Sequence, residues 1–575
     1  MSIEERTKYI AGACIIILLL LLGEIVVLSG LDSPDPLTML ILPSWKTFYI
    51  ALIVLFAAGI IATCVGLWFI LSQEQRSDTY GTAHFATKRE VRQAGVVVPV
   101  EDTQASYFRL GTYRGMEIGL SEEQSEKHIL LVAPTGAGKT STVIIPNLLR
   151  ERGRSSLFIN DVKHELIDLT IGAISQYHDC YIISPTLPQE SNFYNPLAHV
   201  KPESLGDARN IAECLIRNSG FSKEPFWDNV VRVLVTSTVL HLKATEPYAS
   251  FGRVADICTS TLSEIVDLLT RSPSALARRV SSSFVRNVAA EPRLSSNIMT
   301  DVATRFFDAI DPGVEAVTSG DDLDFQRLTE RPSAIFLHIP PHEATRLKWF
   351  SSCLIMQLIN YMFENRKDLR FFFYLDELAN IGYIPNYLEY ISYIRSAGVA
   401  LIQAIQDFGQ LERLYEAHGK DTILANSNHK VFFGGVGQVE AEYVSKVIGD
   451  STVLAHSHSQ NKQGVTYSEA ARKLMNPDEV RMLPSGSMLV LSGNIPPLKV
   501  KAVPYYRSEL NSQVGLPFNP INTHRLPSSM PTIIEPVAPD PLVPLSEAET
   551  QLLPPIGGAR TDEDYFAALD DLEEL

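Results

Sequence analysis

The segment HILLVAPTGAGKTSTVIIPNLL, residues 128–149, places a lysine and three hydroxyl side chains directly behind a glycine-rich turn. The apolar run before the turn, 129–132, predicts a buried strand, and residues 141–150 predict a helix. Glycines let successive backbone N–H groups converge on one anion, and the N-terminus of a helix adds its dipole. The segment therefore predicts a phosphate cradle rather than a chance glycine-rich turn.

The residues of this cradle have predicted roles in holding ATP. Lys139 is expected to reach the β and γ phosphates, and Thr140 to be a ligand of Mg²⁺. Ala133 departs from the pattern GxxxxGK[ST], which has glycine at that position. The predicted nucleotide-binding residues are Pro134, Thr135, Gly136, Ala137, Gly138, Lys139, Thr140 and Ser141.

A second run, RFFFYLDELANIG at 370–382, ends a predicted strand with two adjacent carboxylates. Ligands of α/β sheets collect at the carboxyl ends of strands, so Asp376 is expected to hold Mg²⁺ through a water. Glu377 is expected to polarise the water that attacks the γ phosphate. Adjacent acids after a strand are also common in solvated turns, but together with Lys139 and Thr140 they predict an ATPase.

Two further side chains near the run GVALIQAIQ are candidates for the same site. Gln406 ends this predicted strand, where it could sense the γ phosphate, whereas Gln403 lies inside the strand and could simply satisfy the core. Arg395, in the preceding loop, offers a permanently charged fork for the γ phosphate of a neighbouring subunit. An ordinary surface ion pair is the alternative for Arg395.

Other nucleotide-dependent machines are excluded by missing motifs. An ABC transporter ATPase has LSGGQ before its acidic strand, whereas the nearest string here, LSGN at 491–494, follows that strand. A GTPase requires an NKxD-type base reader, which NPDE at 476–479 does not match. With a single phosphate-loop pattern, the chain has one motor domain.

The surrounding pattern predicts an α/β fold. Continuous apolar runs such as SLFIND, SAIFLHIP, FFFYLDE, KVFFGG and SMLVLSG suit the strands of a parallel sheet covered on both faces. About 140 residues between SPTLP and SAIFLHIP instead show helical periodicity, which predicts an all-helical insertion. HSHS at 456–459 lacks a third metal ligand and is interpreted as a polar loop.

The N-terminus predicts a membrane anchor with two transmembrane helices. Residues 9–29 contain one charge, Glu24, and residues 48–71 contain none, and each stretch can cross a hydrocarbon core about 30 Å thick. A cleaved signal peptide is disfavoured because a second span follows at once. Basic residues precede the first span and follow the second, so both termini are predicted to be cytoplasmic. Six scattered cysteines agree with a reduced, cytosol-facing protein.

Charge is distributed unevenly along the chain. The net charge is −17, and residues 511–575 contain eleven Asp or Glu against two Arg. With ten prolines beyond residue 506, this segment predicts a Pro-rich, acidic, disordered tail. The remaining chain is only mildly acidic. One basic stretch, 271–293, contains five arginines and could steer a DNA backbone, or it could be a solvated helix face.

The motifs in this order resemble the type IV secretion coupling proteins, the TraG/TraD-like motors of conjugation. The resemblance covers roughly residues 80–507 and rests on YGTAHFATKREV, APTGAGKT, FYNPL, FWDN, LDELANIG, IRSAGVALIQAIQDFGQL, NHKVFFGG and RKLMNPDEVRMLPSGSMLVL. It implies a RecA-like domain with an inserted all-helical domain, assembled as a hexameric ring in the inner membrane. The predicted organisation is a membrane anchor (1–78), a RecA-like domain (79–200 and 319–510), an all-α domain (201–318) and the tail (511–575).

The resemblance also implies residue roles and partners. The γ-phosphate sensor of the family falls on Gln406 and its proposed arginine finger on Arg395. The string NDVKHE departs from the family pattern, which leaves the roles of Asp161, Lys163 and Glu165 open. The implied partners are single-stranded DNA with its relaxase, the secretion-channel components and the membrane. Export of effector proteins without DNA is the alternative, and a septal DNA translocase is a third, weaker hypothesis.

Overall fold

The residues of the chain that the computed structural model describes lie in one unit, Met1–Thr523. They are residues 3–32, 45–72, 79–99, 108–220, 225–290, 292–307, 309–366, 368–458 and 465–518. Most of the predicted acidic tail, from residue 519 onward, lies outside the described residues, so its disorder stays a prediction.

The strands are short and most of them belong to one large sheet. They are β1 (Phe108–Tyr113), β2 (Met116–Leu120), β3 (Ile129–Val132), β4 (Ser155–Asp161), β5 (Asp179–Ile183), β6 (Ser333–His338), β7 (Arg370–Leu375), β8 (Val399–Ile405), β9 (His429–Phe433), β10 (Asp450–His458), β11 (Val465–Lys473), β12 (Ser487–Ser492) and β13 (Ile495–Lys501). Within the described residues, 11 strands form a sheet in the order β2-β1-β13-β12-β9-β3-β8-β7-β4-β6-β5, and β10 pairs with β11.

The strands from β9 to β5 in this order are parallel, which confirms the predicted mixed α/β fold with a parallel sheet. Apolar side chains of β3 alternate between two cores, Leu130 and Val132 in one and Ile129 and Leu131 in the other. Both faces of the sheet are therefore covered, which is why its strands read as continuous apolar runs.

One strand prediction was wrong in direction. The run SMLVLSG forms β12, which is antiparallel to β9, with Met488 opposite Phe433. Strands β13, β1 and β2 continue this antiparallel edge. Continuous apolar composition indicates burial on both faces, and it does not fix the direction of a strand.

The helices cover the sheet and fill the segment between β5 and β6. They are α1 (Ile3–Asp32), α2 (Trp45–Ser72), α3 (Lys88–Gln93), α4 (Glu122–Ser125), α5 (Ile145–Leu148), α6 (Glu165–Ile174), α7 (Leu205–Asn218), α8 (Pro225–Thr245), α9 (Phe251–Thr259), α10 (Leu262–Thr270), α11 (Ala275–Ala290), α12 (Pro292–Phe306), α13 (Pro312–Thr318), α14 (Phe325–Glu330), α15 (Pro341–Glu364), α16 (Leu378–Ile381), α17 (Tyr387–Tyr393), α18 (Phe408–Asn426), α19 (Gln438–Ile448) and α20 (Pro477–Arg481).

The segment between β5 and β6 contains α7 to α14 and, in its described part, no strand. Its apolar side chains, including Leu234 and Phe284, belong to the same core as Val132 and Leu337 of the sheet. The helices therefore share a continuous core with one face of the sheet. A separate domain with bounds at 201 and 318 stays a prediction.

The two N-terminal helices are apolar and contact each other where Gly23 faces Phe56. A Cβ atom on Gly23 would lie 2.9 Å from the Phe56 ring, so this close approach requires glycine or a shift of the ring. In α2, the stretch Ile50–Trp68 has a mean hydropathy of 2.7 and is long enough to cross a membrane, whereas the apolar stretch Ile10–Ile25 of α1 is shorter. Length and composition thus support one span, and the predicted two-span topology is not confirmed.

The polar-loop interpretation of HSHS was wrong for its first three residues. His456–His458 form the end of β10, which pairs with β11 in antiparallel register from Asp450 opposite Lys473 to His458 opposite Val465. The alternation in HSHS has the spacing of a strand, but it does not indicate which segment pairs with it.

Candidate active site

The phosphate loop connects β3 to a helix whose first turn, Thr140–Ile144, is a π-helix that continues into α5. Gly136 and Gly138 have φ angles of +79° and +89°, a region that side chains with a Cβ rarely adopt. Ala133 is buried, has no positive φ, and donates its N–H to the Ile405 carbonyl at 3.0 Å. The departure from the phosphate-loop pattern thus falls at a position that does not require glycine.

The sheet order brings the two sequence motifs together. Strand β8 lies between β3 and β7, so the carboxyl ends of the three strands meet at one edge. The Lys139 ammonium donates to the backbone carbonyl of Asp376 and, at 3.3 Å, to Oε2 of Glu377. It also lies 3.6 Å from Oδ1 of Asp376. The predicted lysine and the predicted acids therefore form one site, although 237 residues separate Lys139 from Asp376.

Gln406 joins this site from the end of β8. Its side-chain Nε2 donates to Oε2 of Glu377 at 3.0 Å, and Gln410 holds the Gln406 backbone N–H through a bond of 2.9 Å. Oε1 of Glu377 is buried and has no hydrogen-bond partner among the described residues. Glu377 is thus held through one oxygen by Lys139 and Gln406, and its other oxygen is available to accept a proton or orient a water.

The side-chain oxygens of Thr140 and Asp376 lie next to each other in the site. The Thr140 hydroxyl donates to Oδ1 of Asp376 at 3.2 Å. Burial raises the pKa of Asp376, while the Lys139 ammonium lowers it and the neighbouring Glu377 carboxylate raises it further. A buried carboxylate beside a hydroxyl is a donor set that suits a hard divalent cation such as Mg²⁺. The residues present therefore fit the predicted Mg²⁺ site.

Asp161, whose role the sequence left open, has a structural role at the edge of this site. It ends β4, and its carboxylate accepts the backbone N–H groups of Lys163 at 3.2 Å and Ile167 at 2.7 Å. Burial is the main cause that raises its pKa to about 6, and the Asp376 carboxylate adds to this rise. Asp161 thus fixes the turn into α6 beside Asp376.

Arg395 and Gln403 lie away from the nucleotide site of their own chain. Gln403 is buried in β8 and bonded to Tyr387 at 2.7 Å, in agreement with its core alternative. Arg395 is exposed in a short 3-10 helix, Ile394–Ala397, before β8 begins. The seven residues of β8 span about 23 Å, so Arg395 is at the opposite edge of the sheet from Gln406. Its positive charge acts there on Glu126.

A family model matches most of this chain and establishes the family to which it belongs. The family model described as Type IV secretory system Conjugative DNA transfer matches residues 80–531. The chain belongs to this family. Protein VirD4 of Rhizobium rhizogenes is 27% identical to this chain over 482 residues, which cover 80% of this chain and 70% of VirD4. The conjugal transfer protein TraG of Escherichia coli is 22% identical over 75% of this chain and 77% of TraG.

Solved structures support the fold of this chain. The bacterial conjugative coupling protein TrwBdeltaN70, in its unbound monoclinic form, superimposes with a TM-score of 0.58 at 17% identity, over 74% of this chain and 95% of that chain. The plasmid coupling protein TrwB in complex with ADP and Mg²⁺ gives a TM-score of 0.57 at 16% identity, over 74% of this chain and 96% of TrwB.

Sequence reasoning missed two neighbours of the site in this family member. Gly435, in the loop after β9, approaches Pro134 of the phosphate loop, and a Cβ atom there would lie 3.5 Å from the proline ring. His338 ends β6, and its Nδ1 lies 2.8 Å from the Asp161 carbonyl oxygen. Both follow predicted strands at their carboxyl ends, and that position was the signal that could have identified them.

Proposed function

We propose that the chain is a Mg²⁺-dependent ATPase whose site is formed by Lys139, Thr140, Asp376, Glu377 and Gln406. The observation that carries this proposal is the contact of Lys139 and Gln406 with one carboxylate oxygen of Glu377, which leaves the other oxygen for water. TrwB has been solved with ADP and Mg²⁺, with the ATP analogue ADPNP and with the GTP analogue GDPNP, and these complexes support a purine nucleotide with Mg²⁺ as the ligand.

Each side chain has a separate task in this mechanism. The Lys139 ammonium moves from the carboxylates to the β and γ phosphates, and the backbone N–H groups of 135–141 hold the remaining oxygens. Thr140 and, through a water, Asp376 would hold Mg²⁺, which would neutralise charge on the phosphates. Glu377 orients the attacking water through Oε1 and takes up its proton. Gln406 hydrogen-bonds to Glu377. A shift of Glu377 when the γ phosphate binds or leaves is therefore transmitted through Gln406 to the end of β8.

We infer that ATP hydrolysis drives a DNA strand with its bound relaxase into a type IV secretion channel at the inner membrane. Membership of the conjugative DNA-transfer family supports this cargo. Four described arginines of the basic stretch, Arg271, Arg278, Arg279 and Arg286, are exposed, and none makes an ion pair with a described residue. Such a surface can contact phosphates of a DNA backbone in a salt-dependent way.

The proposed anchor consists of α1 and α2 as two membrane spans with both termini in the cytoplasm. The apolar character of both helices and their contact at Gly23 support it. We further propose a homo-hexamer in which Arg395 completes the nucleotide site of a neighbour, because its exposed position at the far edge of the sheet is too distant from the nucleotide site of its own subunit. Within the chain we propose the RecA-like domain (79–200 and 319–510) and the all-α domain (201–318) as separate functional units.

Restoration of transfer in a host from which the gene has been deleted tests this function. Wild type and Glu389→Gln, a control for an exposed carboxylate, are expected to restore DNA transfer to recipients, and Glu377→Gln is not. Restoration by Glu377→Gln would contradict the proposed motor. If deletion leaves DNA transfer intact but stops export of effector proteins, the cargo is protein, which is the second candidate function.

A further inference from the structure

A second polar cleft lies at the far end of the phosphate-loop helix. It has a volume of about 750 Å³ and is enclosed by the α3 region, the β1–β2 ribbon, the residues after α5 and the C-terminal segment around Leu510. Its charged lining residues are Arg92, Arg109, Arg150, Arg152, Glu117 and Glu509. Four guanidinium groups thus face two carboxylates, which leaves an excess of positive charge.

Arg150 has few hydrogen-bond partners among the described residues. It is half-buried, and its guanidinium makes one hydrogen bond within the described residues, to the Pro146 carbonyl at 3.3 Å. A guanidinium has five N–H donors, so most of those on Arg150 have no acceptor among the residues that the structure describes. Burial lowers the pKa of Arg150, and the nearby positive charge of Arg109 lowers it further. An anion that reaches this half-buried cation would gain charge-assisted hydrogen bonds from its free N–H groups.

The acids of the cleft do not supply this anion. Glu117 attracts Arg150 over a longer range, but it is already paired with Arg109, with 2.6 Å between Oε2 and the Arg109 Nη1. Glu509 is exposed and contributes through longer-range attraction to Arg150. A narrower cavity of about 320 Å³ shares both arginines and extends along the same helix to Thr142. The space next to Arg150 is therefore sufficient for a small multiply charged ligand.

We propose that this cleft is a second anion-binding site, distinct from the phosphate loop, for a ligand that carries phosphate groups. The planar guanidinium forks of Arg109 and Arg150 match the geometry of phosphate oxygens. Lys139 and Arg150 are separated by eleven residues, or about 16 Å along a helix, so one phosphate group cannot contact both. An anion at Arg150 links the phosphate-loop helix to the C-terminal segment at Leu510 and stabilises their packing.

The phosphate groups can belong to a soluble molecule or to the headgroup of an acidic lipid, and a titration separates these sources. Every protein in this titration carries Lys139→Ala, which disables the phosphate loop. Pyrophosphate is titrated calorimetrically into the whole 575-residue chain in phosphatidylcholine nanodiscs. Saturable binding is expected. Arg150→Gln is expected to weaken it about tenfold or more, because charge-assisted hydrogen bonds are lost.

Two further variants control for folding and for net charge. Arg152→Gln changes an exposed residue of the cleft and is expected to weaken binding without affecting the fold. Arg89→Gln removes the same charge from the exposed surface of α3, outside the cleft, and is expected to leave binding unchanged. The proposal would be overturned if the Lys139→Ala protein did not bind pyrophosphate. It would also be overturned if adding Arg150→Gln, Arg152→Gln or Arg89→Gln to that protein gave equal affinities for pyrophosphate.

Repetition in nanodiscs with phosphatidylglycerol identifies the source of the phosphate. Each protein is compared in the two kinds of disc. If phosphatidylglycerol weakens pyrophosphate binding, and if Arg152→Gln removes this difference between the two lipids, a lipid headgroup competes for the cleft. Equal binding in both discs supports a soluble phosphate ligand. The titration does not require ATP turnover, so its outcome is independent of the ATPase proposed above.

Discussion

Mixing two inactive variants tests whether Arg395 acts on the nucleotide of a neighbouring subunit. Arg395 lies before β8 and Gln406 lies after it, at opposite edges of a sheet about 23 Å across. An arginine side chain does not span this distance, and Arg395 therefore cannot serve the Lys139 site of its own chain. Arg395→Ala is expected to bind ATP normally and to hydrolyse it slowly.

The size of the recovery follows from the geometry of a ring. An arginine finger contributes on the order of 10³-fold or more to turnover, so Arg395→Ala and Lys139→Ala are each nearly inactive alone. In a random equal mixture, about one interface in four pairs an intact Lys139 with an intact Arg395, because each of the two choices is correct about half the time. The mixture is therefore expected to reach about a quarter of the wild-type rate.

The assay is steady-state ATP turnover of the whole chain in lipid, with the two variants reconstituted together over a range of ratios. Arg114→Ala, which removes an exposed arginine elsewhere, is the matched control and is expected to keep wild-type turnover. A bell-shaped dependence on the mixing ratio, with its maximum near equal amounts, supports action between subunits. An absence of recovery at every ratio would refute the reasoning about Arg395.

Two predictions concern stability. Arg305 is buried between Asp228 at 2.6 Å and Asp301 at 3.0 Å, so Arg305→Ala should destabilise the chain by about 3–5 kcal/mol in denaturant unfolding; an unchanged midpoint would contradict this. Burial lowers the pKa of His429 to about 4. The imidazole therefore binds a proton more readily in the unfolded chain than in the folded chain. As the pH falls from 6.5 to 4, the free energy of unfolding should decrease by up to about 3 kcal/mol. His429→Gln should reduce this slope and exposed His342→Gln should not.

The chemistry of the site was predictable because it depends on local patterns. A strand, a glycine turn and a lysine identify a phosphate loop within a dozen residues, and the acids at Asp376 and Glu377 follow an unmistakable buried strand. Their meeting depends on the order β3-β8-β7, which no local pattern specifies. The end of the predicted strand at Gln406 indicated a place near the γ phosphate, but its contact with Glu377 depends on β8 lying between β3 and β7.

The remaining features depend on contacts between distant segments. The antiparallel edge formed by β12, β13, β1 and β2 joins residues almost 400 positions apart, such as Thr112 and Lys501. The pairing of β10 with β11 and the arginine cleft at Arg150 likewise require the folded chain. Apolar periodicity indicates which residues are buried, but it does not indicate which strand lies beside which.

ATP binding and ATP turnover, measured separately for Lys139→Ala and Glu377→Gln, test the proposed site most directly. Lys139→Ala is expected to lose nucleotide affinity, because its ammonium contacts the phosphates. Glu377→Gln is expected to bind ATP as tightly as wild type while its turnover falls at least about 10²-fold, because the amide cannot accept the proton of water. Equal turnover in wild type and both variants would contradict the assignment of these residues.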